Sequence, residues 1–409
     1  MQQAHADRGD IPSHVPPQLV RDLDWYGMTD LGSDPYPELA KLHGAPPIFY
    51  IPPNVRNRHG SWIVTRRDDV RSIVLDTEHF TSNRISGFDQ VIEGFDSLLI
   101  PTEADPPEHA SYRAFMTPYF SPRKIAELRT PMREGVAGVI ARVGSRGRCE
   151  FMSEAAYYIA IRPWCDIMGM SYAEADHWIR FPVRILQYQE DRGALIAEMI
   201  AEARRLYREL KGSEGHGLIS RFINTPINGD VPSEANAIGF VIFMLIAGVD
   251  TVGGTLGFTF KYLAENPRMR QWLREDPARI PGFVEEMLRR YATVATNRYV
   301  KADVDLGGVT MRAGDNVIIP MMLANLDETA FERPLAVDPQ REDARHMTFG
   351  AGIHMCIGSR LARAQIGIAI EEWLGAIPEF EVEPGARLVA RVGDVFALTA
   401  LPLRFPPTG

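Results

Sequence analysis

Apolar positions fall first into short runs and then, further along the chain, into helical spacing. Residues 47–51 and 61–64 are β-rich apolar runs split by Pro52, Pro53, Asn54 and Gly60, which predicts a hairpin. Residues 68–75 follow as a short helix. From residue 122 to residue 207 the pattern is mostly helical. Pro131, Gly144, Gly147, Pro163 and Pro182 are expected to interrupt those helices or to open them. Ser233 is a candidate N-cap for a long helix that should end near Asn266, because Pro267 disfavours helical geometry before it. At ~1.5 Å per residue, about thirty residues span roughly 45–50 Å. Within it, residues 237–249 carry no polar side chain on any face, so that segment must be surrounded by protein. The run falls short of the roughly 18 apolar residues that a membrane span needs. Residues 281–291 predict another helix. Strand-like pieces lie at 299–306 and 317–320, with turns at Gly307-Gly308 and Ala313-Gly314. A glycine-rich loop, 350–358, opens a helix that runs from Ser359 to about Gly375, and residues 380–405 are strand-like. The sum is a mostly α chain with a smaller β portion: an N-terminal tail over 1–34 and a single domain over 35–409.

Composition narrows the function classes. The 409 residues carry a formal net charge of −9, which disfavours a general nucleic-acid binder. Hydrophobic residues at 45% and charged residues at 24% are globular values, not those of a disordered chain. Cys149, Cys165 and Cys356 are too few and too scattered for a disulfide framework or a cysteine-rich zinc site. Residues 1–34 show no apolar targeting segment. The expectation is a cytoplasmic protein with neither nucleic acid nor membrane as partner.

Chemistry concentrates in Phe349-Gly350-Ala351-Gly352-Ile353-His354-Met355-Cys356-Ile357-Gly358. Its glycines let backbone amides approach the sulfur, and the helix that follows turns its positive end toward it. That setting suits a cysteine that acts as an anion, as metal ligand or as nucleophile. A lone apolar cysteine is also commonly an inert core residue. Glu286-Met287-Leu288-Arg289 puts an acid and a base three residues apart on a helix, a commonplace pair when taken alone. Asp250 and Thr251 fall within the long helix beside its apolar run, where polar groups are costly unless paired or functional.

The order Phe-x-x-Gly-x-His-x-Cys-x-Gly resembles the haem-binding loop of the cytochrome P-450 family. Glu286 and Arg289 match that family's Glu-x-x-Arg, and Arg341 stands where it places a second arginine. Ala247-Gly248-Val249-Asp250-Thr251 matches its distal acid–alcohol segment. The resemblance runs from about Asp34 to Phe405 and is closest to the soluble bacterial camphor hydroxylase group, through Ile100-Pro101-Thr102, Asp105-Pro106-Pro107-Glu108 and Ala400-Leu401-Pro402-Leu403.

The resemblance implies the P-450 fold, with haem b (heme, iron protoporphyrin IX) between the long central helix and the Cys-loop helix. It implies Cys356 as axial thiolate and dioxygen as co-substrate. Asp250 and Thr251 become the proton-delivering pair, with Asp250 relaying protons from solvent. His109, Arg113, Arg298 and His354 match positions that hold the haem propionates, and Phe349 and Gly358 flank the ligand. Glu286, Arg289 and Arg341 become the structural brace. Phe95, Thr102, Phe243, Ile246, Ala247, Val294 and Val395 match substrate-lining positions, six of the seven apolar. Tyr188 is a further possible donor. Thr296 replaces an Asp near one propionate, and Phe95 replaces the tyrosine that anchors the camphor carbonyl. The expected reaction inserts one oxygen atom into a C–H bond of a small apolar substrate of terpenoid or norisoprenoid size. No dinucleotide loop accompanies the haem domain, so electrons are expected from a [2Fe–2S] ferredoxin and its NAD(P)H-dependent reductase. Arg113, Arg345, Arg360 and Arg363 are its candidate contacts. Two alternatives, a peroxide-driven peroxygenase and a non-catalytic haem protein, are disfavoured by the intact Asp250-Thr251 pair.

Overall fold

The computed structural model describes residues 10–28, 31–54, 57, 59–87, 96–186, 192–342 and 345–408. The expected hairpin forms from strands Ile48–Ile51 and Ser61–Val64, paired antiparallel with Ile48 opposite Val64 and Ile51 opposite Ser61. Ser61–Val64 continues parallel to Asn316–Pro320, which runs antiparallel to Ala295–Val300. Phe80–Thr81 closes the edge of this five-stranded sheet. Part of the expected N-terminal tail lies on the sheet. The carbonyl of Tyr50 accepts the Arg21 N–H at 2.8 Å, and Trp25 is fully buried.

Helices form the larger part. Pro122–Val143 packs along Ser359–Ala376, and both approach Tyr157–Met168. Pro131, Pro163 and Pro182 do not end or open helices here. Each lies inside one: Pro122–Val143, Tyr157–Met168 and Ala175–Leu186. A proline in a helix interior costs about 3 kcal/mol. Burial offsets it in Tyr157–Met168, where Pro163 lies among Ile159, Ile161, Trp164 and Ile167, all buried.

The long central helix is broken. It runs as Glu234–Ala247 and, after Gly248 and Val249, as Asp250–Glu265. Asp250 therefore begins the second segment instead of lying mid-helix. Side chains take carbonyls beside the break. Trp164 Nε1 donates to the Met244 carbonyl at 2.6 Å, and Thr251 Oγ1 to the Ala247 carbonyl at 3.1 Å. Gly248 is required there, because a Cβ would stand 2.3 Å from Trp164 Cδ1. Taken across the break, Glu234–Glu265 is long and apolar enough to cross a membrane, yet most of it is buried within the protein, as a core helix is.

Candidate active site

The cysteine loop is shaped by two glycines. Gly350 and Gly352 take φ of 69° and 71°, a region that side chains resist. A Cβ on Gly352 would also stand 2.8 Å from the Val74 carbonyl. The resulting turn brings the Cys356 N–H back to the Phe349 carbonyl at 2.8 Å. Ser359 N then donates to the Cys356 carbonyl, which starts helix Ser359–Ala376 directly after the cysteine. The Cys356 residue is accessible at its surface. The protein packed around its sulfur still raises the thiol above its usual pKa, and the Gly358 N–H, Arg113 and Arg363 pull it back down. Phe349 is half-buried beneath the Arg363 guanidinium, which sits 4.6 Å from its ring.

Four basic side chains from three elements converge beside this loop. His109 and Arg113 come from helix Glu108–Met116, Arg298 from strand Ala295–Val300 and His354 from the loop itself. Arg113 Nη2 donates to the Met355 carbonyl at 2.6 Å. His354 is pushed down to about 3 by desolvation, then by Arg298, His109 and Arg113. Desolvation likewise lowers Arg298 to about 10, and Asp105 acts against that. Asp105 is itself engaged by the Thr81 hydroxyl at 2.6 Å and the Ser82 N–H at 3.1 Å. The cluster thus carries more positive charge than its own acid balances.

The expected brace is present. Arg289 Nε and Nη2 each donate to the Glu286 carboxylate at 2.8 Å, with both side chains buried. Arg341 Nε joins at 3.3 Å. Arg289 also donates to the carbonyls of Asn325, Pro334 and Ala336 at 3.0, 2.8 and 2.9 Å. Asn325 ties this brace to the cysteine loop, since its Oδ1 accepts the Met347 N–H at 2.6 Å and its Nδ2 donates to Thr348 Oγ1 at 2.8 Å.

The break in the central helix sets out the other wall. Between Ala237 and Thr251, only Phe243, Ile246, Ala247, Gly248 and Thr251 are not buried. Spacings of three and four residues put them on one face. Val294 and Val395 are brought together by an antiparallel β-bridge. Thr102 is half-buried. Phe95 and Tyr188 lie outside the described residues. Thr296, half-buried, shares a strand face with Arg298.

Asp250 is the residue expected to relay protons from solvent. It is fully buried, and Arg391 Nη2 donates to both its oxygens. Tyr157 also favours the ionised form of this carboxylate. Desolvation raises the Asp250 carboxyl above its usual value, against the pull of Arg391 and Tyr157.

A sequence profile of the cytochrome P450 family matches residues 184–388. A probable cytochrome P450 127A1 of Sinorhizobium fredii is 34% identical over 396 residues, covering 95% of each chain. The chain belongs to the cytochrome P450 family. A vitamin D3 dihydroxylase of Streptomyces griseolus is 27% identical over 344 residues, 81% of this chain and 84% of that one. The crystal structure of cytochrome P450 CYP101C1 superposes with a TM-score of 0.86 at 29% identity, covering 97% of this P450 and 100% of that chain. That of CYP101J2 gives 0.84 at 27%, with the same coverage. This P450 is accordingly a haem-thiolate monooxygenase that uses dioxygen.

The residues present fit haem b. A thiol held up by its surroundings becomes a thiolate once a metal coordinates it. The positive charge of Arg113 and Arg298, with the ring donors of His109 and His354, suits a ligand with two carboxylates. Sequence reasoning missed Trp164, Tyr157 and Arg391. Trp164 and Tyr157 sit in an ordinary apolar helix pattern, and Arg391 is 141 residues from Asp250. No local signal marks any of them.

Proposed function

We propose that this P450 hydroxylates a small, mostly apolar substrate of terpenoid or norisoprenoid size, with Cys356 as the thiolate that would hold the haem iron. The observation that carries the reading is the single open face of the central helix. Phe243, Ile246 and Ala247 form an apolar stretch that leads to Thr251, and Val294 and Val395, two further apolar candidates, are paired with each other. Such a surface ranks ligands by fit and by area removed from water, at roughly 25 cal/mol per Å². The relative named as a vitamin D3 dihydroxylase supports hydroxylation as the reaction and does not set the substrate.

Haem b on a thiolate supplies the dioxygen activation that side chains lack. His109, Arg113, Arg298 and His354 would hold its propionates, and Phe349 and Gly358 would flank the ligating sulfur. Glu286, Arg289 and Arg341 keep the cysteine loop in place. One oxygen atom enters the C–H bond and the other leaves as water, which takes up two electrons and two protons. Thr251 Oγ1 passes protons at the open face, and the Asp250 carboxylate resupplies them.

Electrons come from a [2Fe–2S] ferredoxin served by an NAD(P)H-dependent reductase, in the cytoplasm. Two features support a docking face beside the cysteine loop. Leu75, Ile353 and Met355 are exposed apolar residues there, and Leu75 touches the site of Gly352. A groove of about 530 Å³ between the starts of helices Pro122–Val143 and Ser359–Ala376 is edged by Arg129, Arg360 and Arg363. Arg363 is held by Glu285 at 2.5 and 2.9 Å, which leaves Arg360 the freer contact for an acidic partner.

The test is the spectrum of the reduced protein under carbon monoxide, followed by turnover with a surrogate ferredoxin. The long-wavelength band of thiolate-ligated haem is expected, together with a low-to-high-spin shift on adding ring-containing terpenoids. A haem-replete protein with only the short-wavelength band would remove Cys356 as ligand. A full set of terpenoids with no spin shift would remove the substrate class.

A further inference from the structure

The carboxylate of Asp250 is gripped from a part of the chain that no local pattern connects to it. Arg391 belongs to a hairpin in which Ala390–Arg391 pairs with Ala397–Leu398. Its Nη2 donates to Asp250, and its Nη1 donates to the carbonyl of Val395 at 3.1 Å. The ring of Tyr157, from helix Tyr157–Met168, packs at Gly253 one turn after the acid and acts electrostatically on both partners of the ion pair. One guanidinium therefore connects the buried acid to the turn that carries Val395.

The backbone of the central helix is cut to admit this arrangement. A Cβ on Gly253 would stand 2.6 Å from two atoms of the Tyr157 ring. A Cβ on Gly254 would stand 2.6 Å from the Phe396 carbonyl. Two successive glycines, one turn after Asp250, thus let the Tyr157 ring and the hairpin approach the helix directly. The hairpin is also fixed at its far side. Ala295 N donates to the Asp394 carbonyl at 3.0 Å, and Phe396 N donates to the Thr293 carbonyl at 2.7 Å. A side chain anchored this way holds the carboxylate to one position instead of letting it swing.

We propose that Arg391 is a positioning residue of the oxygenation reaction. It aims the Asp250 carboxylate for proton transfer and links that carboxylate to the substrate-side turn at Val395. The proposal rests on the proton-carrying role assigned to Asp250 above. A buried acid left without its guanidinium would have to be neutralised or to rotate, and either change removes it from its place in proton delivery. An arginine that served only to hold the fold would show no dependence on the acid.

The experiment uses haem-loaded protein with a surrogate ferredoxin and reductase. Oxygen uptake is measured with no added substrate and with β-ionone as probe, in ordinary and in heavy water. The variants are Arg391→Gln, Arg391→Lys, Asp250→Asn and the double variant of Arg391→Gln with Asp250→Asn. An exposed arginine, Arg404→Gln, is the control. Infrared spectra of the haem-free proteins report the carboxylate band, assigned by its loss in Asp250→Asn.

Arg391→Gln is expected to move that band, to slow uptake about tenfold and to enlarge the solvent isotope effect, which is short of the roughly hundredfold or more of a full general acid. Arg391→Lys should restore most of the rate. In the Asp250→Asn background, Arg391→Gln should cost nothing further, since the two act as one unit. Wild-type band, rate and isotope effect in Arg391→Gln would overturn the proposal. So would an equal loss with and without Asp250, which marks a merely structural arginine. Normal uptake in Asp250→Asn would instead overturn the proton-carrying reading underneath it. If Arg391→Gln does not fold, Arg391→Lys decides: an ammonium should keep most of the rate while moving the carboxylate band, since it cannot reproduce the guanidinium's grip on both oxygens. A band left unmoved would reject the proposal.

Discussion

The imidazole rings of His109 and His354 stand 4.3 Å apart, centre to centre, inclined at 59°. Burial and the nearby arginines hold both rings below their usual pKa, so both are neutral near pH 7. A neutral imidazole still offers one N–H donor. Ahead of any carboxylate ligand, the site thus presents two guanidinium groups and two hydrogen-bonding rings.

Arg298→Gln removes one of those charges. A hydrogen bond to a charged group contributes about 1.5–3 kcal/mol, so haem should dissociate roughly ten- to a hundredfold faster. Transfer of haem to an excess of a haem-free acceptor protein measures this. His354→Phe should show a smaller loss, because the ring it replaces is uncharged.

Thr251→Ala removes the hydroxyl at the helix break and leaves the apolar face intact. Substrate binding, read from the spin shift, should change little. Product formed per NADH should fall about tenfold, the scale of one lost charge-assisted contact, with hydrogen peroxide making up the difference. Unchanged coupling would show that Oγ1 serves only to hold the Ala247 carbonyl.

Glu286→Gln leaves the buried Arg289 and the largely buried Arg341 around a neutral amide. Losing one partner of a buried ion pair typically costs about 3–5 kcal/mol. Denaturant unfolding of the haem-loaded protein should show a loss on that scale, or the variant should fail to retain haem. Lys at Arg289 should not rescue, since an ammonium cannot match the two parallel donors or reach three carbonyls at once.

Acid stability has a traceable contributor in Glu285. Its carboxylate is desolvated, yet the His346 ring 3.3 Å away and the two hydrogen bonds from Arg363 bring it down to about 2. A carboxylate whose folded pKa is depressed stabilises the fold above its unfolded value. That contribution drains away as pH falls from about 4.3 toward 2. Glu285→Gln should therefore give a shallower fall of thermal midpoint across that window and a lower midpoint near neutrality. An acid-side slope equal to that of the wild type would remove Glu285 as a contributor.

Much of the fold and of the site is legible in the amino-acid sequence. The Cys356 loop announces itself because glycines, cysteine and the following helix are contiguous, and the Glu286–Arg289 pair because its partners are one turn apart. The hairpin of Ile48–Ile51 with Ser61–Val64 follows from apolar runs and the turn residues between them. What the sequence hides depends on contacts between distant segments. The break after Ala247 needs Trp164 from another helix to take the Met244 carbonyl. The partner of Asp250 comes from a two-residue strand whose own sequence has no periodicity to read. The helices that contain Pro131 and Pro163 persist because of what packs on them, which local propensity does not register.

Arg289 addresses its neighbours through their backbone. Its three carbonyl partners, at Asn325, Pro334 and Ala336, lie within a stretch that has little regular structure of its own. A guanidinium that grips carbonyl oxygens is indifferent to the side chains those residues carry. Pro334 and Ala336, which offer Arg289 only their carbonyls, are therefore free to drift in identity as long as the length and path of the stretch are kept. Single substitutions at Pro334 or Ala336 should be well tolerated, whereas inserting or deleting one residue between Asn325 and Ala336 should be as damaging as losing the arginine itself.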